Sequence, residues 1–135
     1  MKNNHEQLAK EWFGKADEDW GLAHFLYEEK NYPEASCYHS NQAAEKILKG
    51  FLVFHGKDIK EEFKIHNLIK LFSYCREINK KLPQKLEKSC YFLNKYYIAT
   101  RYPGDIEKYS WGEVEQALKA VDDMRDKILK ICKIF

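Results

Sequence analysis

The stretch from Pro33 to His55, PEASCYHSNQAAEKILKGFLVFH, decides how the rest of the chain is read. Proline fits the first turn of a helix, where its missing N–H is not needed, and Asn31-Tyr32 just before it marks a break. Behind it Cys37, Ala44, Ile47, Leu48, Phe51 and Leu52 recur at helical steps, and Gly56 can supply a left-handed cap. A stripe of this length, with no period-two alternation, predicts a long helix with one buried face.

Toward the N-terminus, Leu8, Trp12, Ala16, Trp20, Ala23 and Leu26 or Tyr27 step by threes and fours, predicting an acidic helix over roughly residues 5–29. Toward the C-terminus, residues 56–65 read as a charged loop, and Asn67 can cap a short helix bearing Leu68, Leu71, Phe72, Cys75 and Ile78. Pro83 opens a fourth helix with the face Leu86, Cys90, Leu93 and Tyr97. It should end near Arg101 or Tyr102, because Pro103 disfavours helical geometry before it and Gly104 follows. After a loop over 103–109, Ser110-Trp111-Gly112-Glu113 has capping-box spacing and leads into Val114, Ala117 or Leu118, Val121, Met124 or Arg125, Ile128 and Ile131. The expected architecture is all-α: an up-and-down bundle of about five helices, four long and one short, forming one domain over residues 1–135.

Composition narrows the function. The 135 residues leave no room for a catalytic barrel, and 44% hydrophobic with 33% charged residues describes a globular chain. A net charge of +2 gives no global polyanion signal, so a nucleic-acid role must rest on a local patch. Lys57 to Lys88 offers one, with nine Lys or Arg against five carboxylates. The start carries no signal-peptide pattern and no window approaches the ~20 apolar residues of a membrane span, so a soluble, cytoplasmic protein is expected. Cys37, Cys75, Cys90 and Cys132 form no Cys-x-x-Cys pair and read as buried reduced thiols. His24, His39 and His55 have no carboxylate or cysteine partner at helical spacing, so neither a metal nor a cofactor is expected.

Some residues resist a core explanation. Gln42, Glu45, Lys46 and Lys49 fall on one polar arc, opposite Ala44, Leu48 and Phe51. The arc is either a solvated face, on which Glu45 pairs with Lys49 at i, i+4, or a surface that grips phosphate or a partner chain. Asn41 lies inside the apolar stripe, where a buried amide must find a partner on another helix's backbone or side chain. Arg101 stands where the fourth helix is expected to stop. It serves there either to offset the helix dipole or to offer a fork of donors to phosphate, with Tyr96, Tyr97 and Tyr102 packing around it or stacking on a base. His66 follows a lysine-rich loop and reads first as a local structural residue.

In this order and with these gaps, several blocks resemble the HEPN family of small prokaryotic helical proteins. They are Trp12, Ala16 and Asp19; Tyr32-Pro33-Glu34-Ala35; Gln42-Ala43-Ala44-Glu45-Lys46-Ile47-Leu48-Lys49; His66-Asn67-Leu68; and Tyr97-Ile98-Ala99-Thr100-Arg101-Tyr102-Pro103. The resemblance implies a bundle that commonly forms a homodimer. It also implies a gene beside a minimal nucleotidyltransferase, the two products forming a toxin and antitoxin pair. Several branches of the family are metal-independent ribonucleases in which four to six residues separate an arginine from a following histidine, often with a tyrosine two further on. Here Arg101 is followed by Ile106, Glu107 and Lys108, so Glu107 stands where the histidine would, and Tyr109 where the trailing tyrosine would. An exposed Glu with a pKa near ~4.3 is a weak base. Tyr109 also resembles the tyrosine that such a partner nucleotidylates.

Three functions therefore compete. The first is a bundle that binds nucleotide or RNA phosphate through Gln42, Glu45, Lys46, Lys49, His66, Arg101 and Tyr102, beside a nucleotidyltransferase partner. The second is a ribonuclease toxin in which Arg101 grips phosphate and His66, Glu107 or Tyr109 moves the proton. The third is a non-catalytic dimerisation or assembly module. Nothing in the pattern points to a membrane or to DNA in particular.

Overall fold

The computed structural model describes residues 2–59, 65–97 and 109–133. Five α-helices follow in chain order: α1 (Lys2–Glu28), α2 (Pro33–Phe54), α3 (Leu68–Ile78), α4 (Leu86–Asn94) and α5 (Trp111–Cys132). The described residues contain no strand. The all-α bundle read from the sequence is the one observed.

Helix α2 is the centre of the bundle. Fourteen of its 22 residues are buried, too many for a single stripe, because it packs against each of the other four helices. Its entry is sharp: Tyr32 takes a left-handed conformation (φ 51°) and Pro33 begins the helix without a side-chain cap. Its exit uses Gly56, whose φ of +87° is cheap only for glycine. Three contacts set the direction of α1 against it. Ser36 donates to the Ala23 carbonyl, His39 bonds Asp19, and Gly50 faces Phe13, so the two helices run antiparallel. Helix α5 pairs with α1 in the same sense, through Tyr27 with Glu115, Trp20 with Asp122 and Asp17 with Arg125.

The buried stripe of α1 differs from the one read off its large residues. Ala9, Phe13, Ala16 and Ala23 face the core, whereas Leu8 is half exposed and Trp12, Trp20 and Tyr27 lie along the edges of the seam. Ala9, Ala16 and Ala23 recur every seven residues, which lets two backbones approach closely; an indole would hold them apart. The Trp20 N–H also needs an acceptor, and Asp122 of α5 provides one at 2.7 Å.

Helix α4 is shorter than its sequence pattern suggests, so two of the five helices are short. It ends at Asn94, and Tyr97 lies beyond it. Tertiary partners supply the physical reason. Asn41 Nδ2 donates to the Leu93 carbonyl at 2.8 Å, the Tyr96 N–H turns back to that same oxygen, and Asn94 Oδ1 accepts the Leu68 N–H at 2.9 Å. With these groups engaged, the chain tightens into a turn and buries Tyr96 in place of Tyr97. The Asn67 and Ser110 caps form as read, accepting from the N–H groups of Lys70 and Glu113. Expectations for residues 98–108, including Arg101, Tyr102 and Glu107, lie outside the described residues.

Candidate functional site

The polar arc of α2 is not a solvated face. Glu45 and Lys49 are about as buried as the core, 6% and 5% exposed, and Lys49 Nζ meets Glu45 Oε2 at 2.9 Å, the i, i+4 pair that the spacing suggests. His66, 21 residues further on, brings Nδ1 to 3.1 and 3.2 Å from the two Glu45 oxygens. The ring is half exposed, and Tyr97 stacks on it with centroids 4.5 Å apart. An ammonium, a carboxylate and an imidazole thus form one chain of contacts running from the interior to the surface.

The other members of the arc go elsewhere. Lys46 reaches back to Asp19 of α1, which also accepts from His39 at 2.8 Å. Burial alone would raise the Asp19 pKa, but the hydrogen bonds and charges of His39 and Lys46 outweigh it and hold the carboxyl below its ordinary value of 3.8. Gln42 donates to Asn41 Oδ1 at 3.1 Å, continuing the link toward α4. The structure therefore unites Glu45, Lys49 and His66, and directs Gln42 and Lys46 to different partners. Tyr109 packs edge-on to Tyr96, whose hydroxyl donates to Glu113. Burial first, and that bond second, push the Tyr96 pKa up.

Above the Glu45–His66 contact opens a cleft of about 850 Å³. Leu8 and Trp12 of α1 line it, with Val53 of α2 and Ile59 beyond; Lys49, Lys57, Asp58, His5 and His66 supply its polar groups. Lys49 Nζ lies 5.9 Å from the Trp12 ring centre, so one cation touches both the carboxylate below and the indole beside it. Such a cleft, apolar on its walls with a few converging polar groups, is what a small-molecule or nucleobase site looks like physically. Sequence reasoning missed Leu8 and Trp12 as cleft residues and Asp19 as the Lys46 partner. The seven-residue spacing of Trp12 and Asp19, two helical turns, was the available signal. Among the described residues, no three His, Cys, Asp or Glu side chains converge to hold a metal ion, and no helix is long and apolar enough to cross a membrane.

A helical bundle built around a central polar-seamed helix, with a mixed apolar and ionic cleft at one side, is the class that these features define. The chain belongs to the HEPN domain family, whose pattern matches residues 9–134. It is 25% identical over 138 residues to a Methanocaldococcus jannaschii protein named "Putative toxin MJ1304", covering 94% of this chain and 90% of that one. The crystal structure of TT1696 from Thermus thermophilus superposes with a TM-score of 0.74 at 25% identity, covering 90% of this chain and 96% of the other. The fold is shared as well with ST0689, an archaeal HEPN homologue, at a TM-score of 0.70 and 22% identity, over 92% and 97% of the two chains.

Proposed function

We propose that this chain is a toxin-like HEPN protein that binds RNA or a nucleotide by its phosphate at the cleft between α1 and α2, as a homodimer beside a nucleotidyltransferase partner. The observation that carries the reading is the Glu45–Lys49–His66 cluster at the foot of the cleft, with Tyr97 stacked on the imidazole. In the sequence, Tyr97 begins the run that contains Arg101 and Tyr102. Aromatic surfaces for a base and cations for phosphate are the chemistry that single-stranded RNA or a nucleotide requires.

Calorimetric titration with ATP, GTP and short RNA, on the wild type and on Arg101→Ala, tests this. Saturable heat that Arg101→Ala loses supports the site, and absence of heat with all three ligands ends it. For the partner, an adjacent reading frame encoding a small protein with Gly-Ser followed by paired aspartates supports the toxin and antitoxin setting, and co-purification of the two products tests it.

One observation favours a second reading, ribonuclease activity. Glu45 engages His66 through Nδ1, and no described residue bonds Nε2, which is how a carboxylate presents an imidazole as a proton acceptor. His66 would then take the role of the histidine missing after Arg101. RNA cleavage by the wild type that is lost in His66→Ala supports it, and no cleavage by the wild type removes it.

A further inference from the structure

Both lysines that the polar arc offers to an anion are already matched inside the protein, Lys49 by Glu45 and Lys46 by Asp19. Around the cleft the charges also cancel: from α2, Lys49 against Glu45; from the turn after α2, Lys57 against Asp58. Among the described residues that line it, the cleft therefore has no cation in excess of its carboxylates apart from its histidines. Among the described lining residues, the groups able to add a positive charge are the imidazoles of His66 and, from α1, His5. Tyr97 stacks on the His66 ring.

The two histidines are not equivalent. His66 Nδ1 lies against both oxygens of a carboxylate that is itself fixed by a buried ammonium. A neutral His66 thus keeps its proton on Nδ1, donating to Glu45, and Nε2 is the atom that gains and loses the second proton. Once Nε2 is protonated, it becomes a charged donor beside the cleft and gives the site a net positive charge.

We propose that anion binding in this cleft is proton-linked: one proton enters at His66 Nε2 as one phosphate-type anion binds, and Glu45 is the positioning residue that selects that nitrogen. This regulation rests on the phosphate-binding reading above. Linkage fixes its sign: if one proton is taken up with the anion, affinity rises as pH falls, by up to about tenfold per pH unit.

Calorimetry of the full chain with inorganic pyrophosphate, in pairs of buffers of low and high protonation enthalpy across neutral pH, measures the proton directly. The expected result is a heat that changes with the buffer in proportion to up to one proton, a dependence lost in His66→Gln and kept in His5→Asn. Ring-nitrogen NMR of the neutral His66 ring in the unliganded wild type should find Nδ1 protonated, a readout that needs no variant to fold. Saturable binding with buffer-independent heat, a buffer dependence that survives His66→Gln or disappears in His5→Asn, or a neutral ring protonated on Nε2 would each overturn the linkage and leave the anion site standing. No saturable binding of pyrophosphate or short RNA at any pH overturns both.

Discussion

Gly50 of α2 gives up to the Phe13 ring of α1 the space its own side chain would take. A Cβ at position 50 would lie 2.6 Å from Phe13 Cε1, closer than carbon atoms tolerate. This contact seats α1 along α2 and so places Trp12, the neighbour of Phe13, at the wall of the cleft.

Gly50→Ala should therefore destabilise the protein by about 1–2 kcal/mol, the strain of overpacking outweighing the roughly 1 kcal/mol that alanine contributes to a helix interior. Phe13→Leu in the same chain should recover part of the loss. Urea denaturation of the two single variants and the double variant gives the coupling, and additive effects would show that the contact is not the cause.

Asn41→Ala leaves the Leu93 carbonyl without its side-chain donor in the interior. The expected cost is about 1–3 kcal/mol. Amide exchange should speed up selectively near the end of α4 and the start of α3, where Asn94 and Leu68 depend on the same junction.

The Asp19 carboxyl has a lowered pKa, so its contribution to stability is fully present above the ordinary value of 3.8 and is lost as pH falls through the lower native value. Asp19→Asn should be less stable near neutral pH and should show a shallower loss of stability below that value. Denaturation midpoints measured on both proteins through the acid range check the sign.

Breaking the buried pair should cost more than removing it. Lys49→Met takes the ammonium from the buried Glu45 carboxylate, leaving it only the His66 contact, and is expected to cost about 3–5 kcal/mol. Adding Glu45→Gln to that variant should return part of the stability, and thermal unfolding of the four proteins in the cycle decides it.

The four cysteines are buried and unpaired, and burial pushes Cys37, Cys90 and Cys132 up to about 12 and Cys75 well above its ordinary value. A thiol reagent at mildly alkaline pH should titrate none of them in the native protein and all four after denaturation.

Much of the fold was legible because helical periodicity is local. The Cys37 to Leu52 stripe, the Asn67 and Ser110 caps and the Gly56 exit each depend on residues a few positions apart. Two features were not legible for the same reason. The sequence pattern runs the α1 stripe through Leu8, Trp12 and Trp20 along with Ala16 and Ala23, and passes over Ala9 and Phe13, because the glycine that demands a close helix approach lies on α2, far along the chain. The end of α4 is set by Asn41, 52 residues away from Leu93. The site divides likewise: spacing exposed the Glu45–Lys49 pair, while His66 joins them only through tertiary folding.

Because α2 touches every other helix, it acts as an axle on which the rest of the protein is mounted. No outer helix can peel away without wetting part of that axle, including the ammonium and carboxylate sealed along it. The molecule should therefore lose its order in a single step, and a protease should find no trimmed intermediate to release.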